Sequence, residues 1–433
     1  MKIKKINLGL LGFGTIGSGV LKVLYKKAAL LENKLGLKIS LKRVCEINPA
    51  LLKKLKAKKV DVCSNADRII EDPQIDIVIE LIGGIHPAKE YILKALRNKK
   101  HVVTANKALL AEEGEEIFKT AKENGVDVYF EASVGAGIPI IRSLREGLIA
   151  NKIESVYGII NGTSNYILTQ MSESGCDFKN ALKEAQKKGY AEKNPHMDIS
   201  GIDSAHKIAI LARICFNQAV QFDKIYIEGI NDIELSDLDY AQELGFCVKL
   251  LAIAKKVQNG LQIRVHPCLV PKGHLLANVK GIYNAVFIKA DLIGKALLQG
   301  QGAGQMTTAS AVVGDVISIA QKIGLENQMD FLNIKDSSLS KEILSIDQLL
   351  TRYYIRFTAL DEPEVLSKIS KILGKFKISI YSVIQKGRRQ SQAVPIVMMT
   401  HEAREKDIRK ALAQINKLPC IKKKTVTIRA ERI

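Results

Sequence analysis

The hydrophobic positions fall into short runs broken by glycine and charge, and their spacing alternates between two periods. Residues 5–11 read as a strand buried on both faces, 16–31 carry the spacing of a long helix, and 41–46 and 75–81 are again strands. Residues 101–104 and 127–131 continue the series, each after a helix-like segment, 87–98 and 112–124. Strands alternating with helices predict a parallel sheet covered on both faces, here a first domain over 1–137. Past residue 137 the rhythm changes to longer helices and strands separated by polar turns, which sets off a second domain over 138–305. An apolar helix within 306–325 is expected to pack back on the first domain, and 326–350 reads as a polar linker. The remainder, 351–433, runs strand 353–360, helix 364–376, strands 378–385 and 394–401, helix 405–416 and strand 424–430. That is the βαββαβ order of a ferredoxin-like unit.

Composition narrows the function classes. Hydrophobic residues make up 47% of the 433 and charged residues 25%, which excludes wholesale disorder and a polytopic membrane protein. The formal charge of +20 raises nucleic acid or an anionic membrane as partners. Its distribution argues otherwise, since residues 1–60 hold 15 Lys or Arg against Glu32 and Glu46, a lysine-rich surface. With no Trp and only 5% aromatic residues there is no stacking platform for bases, and neither nucleic acid nor membrane is expected as a partner. Seven scattered cysteines without a C-x-x-C pair point to a reducing, cytoplasmic setting rather than a disulfide framework or zinc site. Lys2, Lys4 and Lys5 before an uncharged stretch imitate a signal peptide, but Gly9, Gly12, Gly14, Gly17 and Gly19 would weaken its helix.

Two stretches carry candidate chemistry. Gly12-Phe13-Gly14-Thr15-Ile16-Gly17 is G-x-G-x-x-G between an expected strand and helix. There the first glycine permits a tight turn, the second lets backbone approach a pyrophosphate, and the third lets helix pack on strand. Glu46, ending the second strand, can bind both ribose hydroxyls of NAD, whereas Lys53 and Lys54 behind it can neutralise the 2′-phosphate of NADP. The second stretch is Gly189-Tyr190-Ala191-Glu192, followed by Asp198, Ser200, Asp203, His206 and Lys207. Ser200 and Asp203 have capping-box spacing, so a helix is expected to start near Gly201, with Asp203 and Lys207 one turn apart on one face. Spacing alone leaves two readings, a surface ion pair worth about 0.3–0.5 kcal/mol or a lysine held among carboxylates to move a proton.

Leu11–Gly17, Thr104-Ala105-Asn106-Lys107, the loop E-A-S-V-G-A-G-I-P from Glu131 to Pro139, N-G-T-S-N-Y-I-L from Asn161 to Leu168, the stretch from Gly189 to Lys207, and Gly302-Ala303-Gly304 before Thr308-Ala309-Ser310-Ala311 together resemble the homoserine dehydrogenase family. The resemblance covers essentially the whole chain in order. It implies reversible hydride transfer between NAD(P)H and L-aspartate 4-semialdehyde, giving L-homoserine on the way to threonine, methionine and isoleucine. It further implies Lys207 as catalytic proton donor, with Asp203 nearby and Lys107 a second lysine by nicotinamide and substrate. Glu192 would bind the substrate amino group beside Asp198, with Thr163 and Tyr190 lining the pocket. Gly12, Gly14, Thr15, Ile16, Gly17, Glu46, Thr104, Asn106, Lys107 and Gly302 would face the cofactor. A monovalent cation, usually sodium, would be held by Glu131 and by backbone carbonyls of Val134, Ala136 and Ile138. Read without the family, Glu192 caps a turn and Glu131 is a strand-end carboxylate.

The C-terminal unit resembles the ACT domain, from Tyr353 to Leu366 and again at Ile378–Gln385. The fold class expected is thus α/β: a Rossmann-type parallel sheet, an α+β catalytic domain and a C-terminal ACT domain. A homodimer or homotetramer and an amino-acid effector, threonine in the usual case, go with the resemblance. The family commonly has glycine where this chain has Glu364, whose bulk and charge at the ligand turn favour oligomerisation as the domain's role. A catalytically silent amino-acid and nucleotide sensor is the alternative function, disfavoured because Lys107, Glu192, Asp203 and Lys207 are all present. Aspartate-semialdehyde dehydrogenase, which shares the aldehyde, needs a cysteine nucleophile in a context none of the seven cysteines has.

Overall fold

The computed structural model describes residues 4–56, 60–324, 342–386 and 392–433. The chain divides into two compact units, one of Met1–Glu154, His206–Phe222 and Lys289–Ser340, the other of Ser155–Ala205, Asp223–Ile288 and Lys341–Ile433. Among the described residues no helix is long and apolar enough to cross a membrane.

In the first unit β1 (Lys4–Leu11), β2 (Leu37–Cys45), β3 (Val62–Cys63), β4 (Ile77–Glu80), β5 (His101–Thr104) and β6 (Val128–Tyr129) form a parallel sheet in the order β3-β2-β1-β4-β5-β6. Strand order reverses between β1 and β4, which opens a crevice at their carboxyl ends. Leu8, Leu10 and Leu11 of β1 are all fully buried, without alternation, because helices cover both faces. The helix Gln305–Gly324 supplies one cover: Ala309, Val312, Val316 and Ile319 share a core with Leu8, Leu10, Ile77 and Val103. Where it meets the helix Thr15–Lys26, a Cβ on Gly19 would stand 2.9 Å from the Gln305 carbonyl oxygen, so only glycine allows the approach.

One expected helix is split. The helix expected over 16–31 is Thr15–Lys26 followed by Ala28–Leu35, a second piece that buries no residue fully and packs Leu31 and Leu35 against the edge of the same core. The helix expected over 112–124 is Gly114–Glu123, preceded by a separate short helix, Lys107–Glu112. The two-residue β3 is too short to show a period.

The second unit contains β7 (Ile153–Ile159), β8 (Tyr226–Ile227), β9 (Phe246–Val257), β10 (Gly260–Pro271) and β11 (Tyr283–Ala290), while β12 (Gly294–Gln301) belongs to the first. Its C-terminal part has β13 (Leu350–Leu360), the helix Val365–Lys375, β14 (Ile380–Gln385), β15 (Ala393–Thr400), the short β16 (Ala403–Arg404), the helix Glu405–Ile415 and β17 (Ile421–Ala430). The sheet runs β11-β7-β9-β10-β17-β13-β15-β14 without interruption, since β17 pairs in parallel with β10 through Cys268 with Arg429 and Leu269 with Ala430. One face of β13 packs Tyr353, Ile355, Phe357 and Ala359 into the core under the two helices. From the other face Arg356 grips Asp237 with Nε at 2.6 Å and Nη2 at 3.0 Å, and the Tyr354 hydroxyl donates to the same carboxylate at 2.9 Å. Such a buried pair is tolerated because the two-pronged geometry replaces the water both charges lose.

The expected linker falls largely outside the described residues. From Glu342 the chain is bonded to β10, the Leu261 N–H donating to the Glu342 carbonyl and the Leu344 N–H to the Leu261 carbonyl.

A lysine inside β9 makes stability in this unit depend on pH. Lys249 is 4% exposed, its ammonium donates to the Val279 carbonyl and to Asn165 Oδ1, and burial pulls its pKa down to about 8. The unfolded chain, at the ordinary 10.5, binds more protons between these values, so stability rises with pH from about 8 to 10.5 on this account. In Lys249→Met that contribution is absent. Urea unfolding at pH 7.5 and pH 10 should show the difference between wild type and variant shifting towards wild type at the higher pH; a constant difference counts against the assignment.

Candidate active site

At the switch point, the Gly12 N–H donates to the Cys45 carbonyl at 2.9 Å and its φ of +91° lies in the left-handed region. A Cβ on Gly17 would sit 2.3 Å from the Gly12 carbonyl oxygen, whereas one on Gly14 would meet nothing within 4 Å. Gly12 thus makes the turn, Gly17 lets helix close on strand, and Gly14 leaves open the space before the first turn at Thr15 and Ile16. The helix Thr15–Lys26 has no side-chain cap at Gly14, so its N-terminal N–H groups face that space. Glu46 braces the loop: one carboxylate oxygen accepts from the Phe13 N–H at 2.7 Å, the other from Ile47 and Asn48, each at 2.9 Å.

The neighbouring strand ends are tied by a buried carboxylate. Glu80, fully buried, accepts from the Ile82 N–H at 2.7 Å and from the Thr104 hydroxyl at 2.6 Å. Thr104 in turn accepts from the Asn106 N–H at 3.0 Å, and Asn106 donates to the Gly84 carbonyl and accepts from the Leu109 N–H. Asn106 therefore caps the helix Lys107–Glu112 and fixes Lys107, half-buried, at its first position. Buried Gly302 follows β12 and precedes Gln305, whose amide donates to the Thr15 carbonyl and the Ser18 hydroxyl, both at 2.9 Å.

Glu131 opens a 3₁₀ turn rather than closing a strand. Its two carboxylate oxygens accept from the N–H groups of Ile141 and Arg142, each at 2.8 Å, and its own N–H donates to Asp315. Burial pushes the Glu131 carboxyl above its ordinary range and that of Asp315 to about 8. The loop then turns at Gly135, with φ +63°, and the Ile138 carbonyl accepts from Ile140 at 2.7 Å. A cleft of about 540 Å³ borders Glu131, Ala136, Gly137 and Arg142 on one side and Met306, Ser310 and Gly314 on the other.

In the second unit Asn161 joins two carboxylates distant in sequence. Its Nδ2 donates to Asp198 at 2.7 Å and to Asp203 at 2.8 Å, while its Oδ1 caps the helix Gly162–Ser174 by accepting from Ser164. The Thr163 hydroxyl donates to the Tyr190 carbonyl at 2.7 Å, and the Tyr166 ring stands edge-on to Tyr190. Glu192 is exposed, on a turn held by Gln186 donating to its carbonyl at 3.1 Å. Asp203 lies in the first turn of the helix Ile202–Phe216, and Lys207 follows one turn later; they are 5% and 8% exposed. The expected capping box is not formed, because the buried Ser200 hydroxyl has no partner and Asp203 bonds Asn161 instead.

The structure thus brings Asp198 and Asp203 together, gathers the glycine loop with Glu46, and sets Glu80, Thr104 and Asn106 in one chain of bonds, with Lys107 next after Asn106 at the first position of its helix. Sequence reading passed over Glu80, Asn161 and Gln305 as site residues. A charge inside the run I-D-I-V-I-E-L was the available signal for Glu80, whereas nothing local marks Asn161 or Gln305 as a clasp.

A family model for homoserine dehydrogenase matches residues 139–317, one for its NAD-binding domain 12–131, and one for the ACT domain 353–420. The homoserine dehydrogenase of Neisseria gonorrhoeae is 43% identical over 441 aligned residues, covering all of both chains. The chain belongs to the homoserine dehydrogenase family. A crystal structure of a homoserine dehydrogenase from Thiobacillus denitrificans is 43% identical, with a TM-score of 0.93 over 99% of each chain. A hyperthermophilic archaeal homoserine dehydrogenase in complex with NADPH is 26% identical, with a TM-score of 0.62 over 74% of this chain and 98% of its own. As a homoserine dehydrogenase the chain is an oxidoreductase of amino-acid biosynthesis, with a nicotinamide-binding domain at its N-terminus and an ACT domain at its C-terminus.

Proposed function

We propose that the enzyme reversibly reduces L-aspartate 4-semialdehyde to L-homoserine with NAD(P)H, and that Lys207 passes the proton. The observation that carries this is a nearly buried lysine one turn beyond Asp203, itself clasped with Asp198 by Asn161. The nicotinamide, when bound, supplies the hydride. As the aldehyde carbon is reduced its oxygen becomes an alkoxide, which the Lys207 ammonium stabilises and protonates, regaining its proton from solvent. Lys107 adds a second cation, and Glu192 with Asp198 pairs the substrate ammonium, beside Thr163 and Tyr190.

The residues fit the cofactor. The uncapped helix start and the space at Gly14 suit a pyrophosphate, and Gly302, Thr104 and Asn106 would meet the rest of the cofactor. Glu46 has one of four lone-pair positions left after three N–H bonds, enough for a ribose hydroxyl, which favours NAD; Lys53 and Lys54 keep NADP open. A sodium ion fits the oxygen donors of Glu131, Val134, Ala136 and Ile138, as each Glu131 oxygen bonds only one N–H and keeps a lone pair. Seven free thiols suit a cytoplasmic enzyme.

For the ACT domain we propose pairing in a homodimer or homotetramer. Glu364 takes φ +67°, a conformation that favours the glycine of its relatives, and its exposed carboxylate stands 3.7 Å from Lys368 at the ligand turn. An anionic side chain there opposes the carboxylate of an amino-acid effector such as threonine.

The test follows the absorbance of reduced nicotinamide while the protein meets aspartate semialdehyde with NADH or NADPH, in sodium and in a sodium-free buffer. Turnover with one of the two, raised several-fold by sodium, is expected. No turnover with either, while cofactor binds and sodium is present, overturns the reading.

A further inference from the structure

The segment that carries Asp198 and Asp203 rests on a second segment, and the second rests on the ACT domain. The Ile230 N–H donates to the Ile199 carbonyl at 2.8 Å. A Cβ on Gly229 would lie 2.1 Å from that same Ile199 oxygen, and one on Gly201 3.3 Å from Ile227 Cγ2. Residues 226–230 are therefore in backbone contact with 199–201 and leave no slack between them. The backbone of 226–228 also pairs with β10, the Glu228 N–H donating to the Val265 carbonyl at 2.8 Å, and its side chains are gripped by charge. Arg429, in β17, reaches Glu228 with Nη1 at 2.7 Å and the Tyr226 hydroxyl with Nη2 at 3.1 Å. Its Nε meets Glu405 at 2.9 Å, and the Tyr353 hydroxyl donates to Glu405 at the same distance.

Arg429 has a side chain only 4% exposed, and it spans two carboxylates. Glu405, at 2% exposure, lies within the residues matched as the ACT domain, 353–420, while Glu228 belongs to an earlier stretch of the second unit. A fold that needed only to attach its C-terminal domain has β17 paired with β10 and the Arg356–Asp237 pair for that purpose. The arm to Glu228 attaches something else.

We propose that Arg429 is a positioning residue for the substrate site: through Glu228 it presses residues 226–230 against 199–201 and so sets Asp198 and Asp203 around Asn161. The ACT domain is then a structural part of the aldehyde site, and its last strand contributes to substrate affinity whether or not an effector binds. The proposal rests on the substrate-side reading of Asp198 and Asp203.

Steady-state kinetics of Arg429→Met, Arg429→Lys, Glu228→Gln and Asp198→Asn test it, with KM measured separately for aldehyde and cofactor. Displacement of the carboxylates by less than an ångström in Arg429→Met should raise KM for the aldehyde roughly tenfold. The cofactor KM, set in the other unit, should stay within about twofold of wild type. Arg429→Lys keeps the charge without the fork and should fall between. Glu228→Gln, at a partly exposed position, keeps an acceptor and should show a smaller rise; it carries the test if Arg429→Met does not fold. A folded Arg429→Met, or failing that a Glu228→Gln, with wild-type aldehyde KM overturns the proposal, as does a parallel rise in both KM values, the mark of general loosening. If Asp198→Asn also leaves the aldehyde KM unchanged, the substrate-side reading itself fails; if Asp198→Asn raises it and Arg429→Met does not, only the positioning role fails.

Discussion

Lys207→Met is expected to lower kcat roughly 10³-fold with aspartate semialdehyde, leaving the affinity for reduced nicotinamide unchanged. Removing the ammonium takes away both the charge that stabilises the nascent alkoxide and the proton it must receive, effects each worth about 10²–10³ in rate. Methionine matches the length of the stem, so the packing of a side chain 8% exposed is largely kept. Cofactor binding, read by quenching or transfer of nicotinamide fluorescence, depends on the glycine loop and should not move. The companion variant Lys107→Met decides which lysine dominates. A loss there of 10³-fold, with less than tenfold in Lys207→Met, would exchange their roles.

Gly17→Ala is expected to destabilise the first unit by about 3 kcal/mol and raise the cofactor KM more than tenfold, because the added Cβ would lie 2.3 Å from the Gly12 carbonyl oxygen. The obstruction is backbone at the end of β1, whose Leu10 and Leu11 are fully buried, so neither side can yield without moving the sheet. Gly14→Ala is the control. Its methyl would meet no atom within 4 Å at an ordinary φ of −67°, so the melting temperature should hold while the cofactor KM rises. A wild-type melting temperature and KM in Gly17→Ala would refute the assignment of the third glycine.

The G-x-G-x-x-G loop was legible because the tight turn at Gly12 and the close approach at Gly17 are demands of the loop's own backbone, whereas its ties to Glu46 and Gln305 are not written in the motif. The βαββαβ unit was legible because amphipathic helices and apolar strands record their buried faces in their own spacing. The division of 16–31 at Lys27 was not, since the apolar residues continue past it and Leu31 and Leu35 still pack against the same core. The start of the helix at Ile202 was legible to within a residue, but the role of Asp203 was not, since its spacing from Ser200 suits a capping box and it is claimed instead by Asn161, 42 residues earlier.

Fold class and cofactor loop were thus determined by the sequence alone, because each depends on residue type and local period, while the candidate lysines and carboxylates came with the resemblance to a family. Tertiary structure decided what holds them. Glu80 ties the ends of β4 and β5, Asn161 clasps Asp198 with Asp203, and Arg429 meets Glu228 across 201 residues of chain. Side-chain spacing records that a face is buried, but the partner that buries it is chosen by the folded chain, at any separation in sequence.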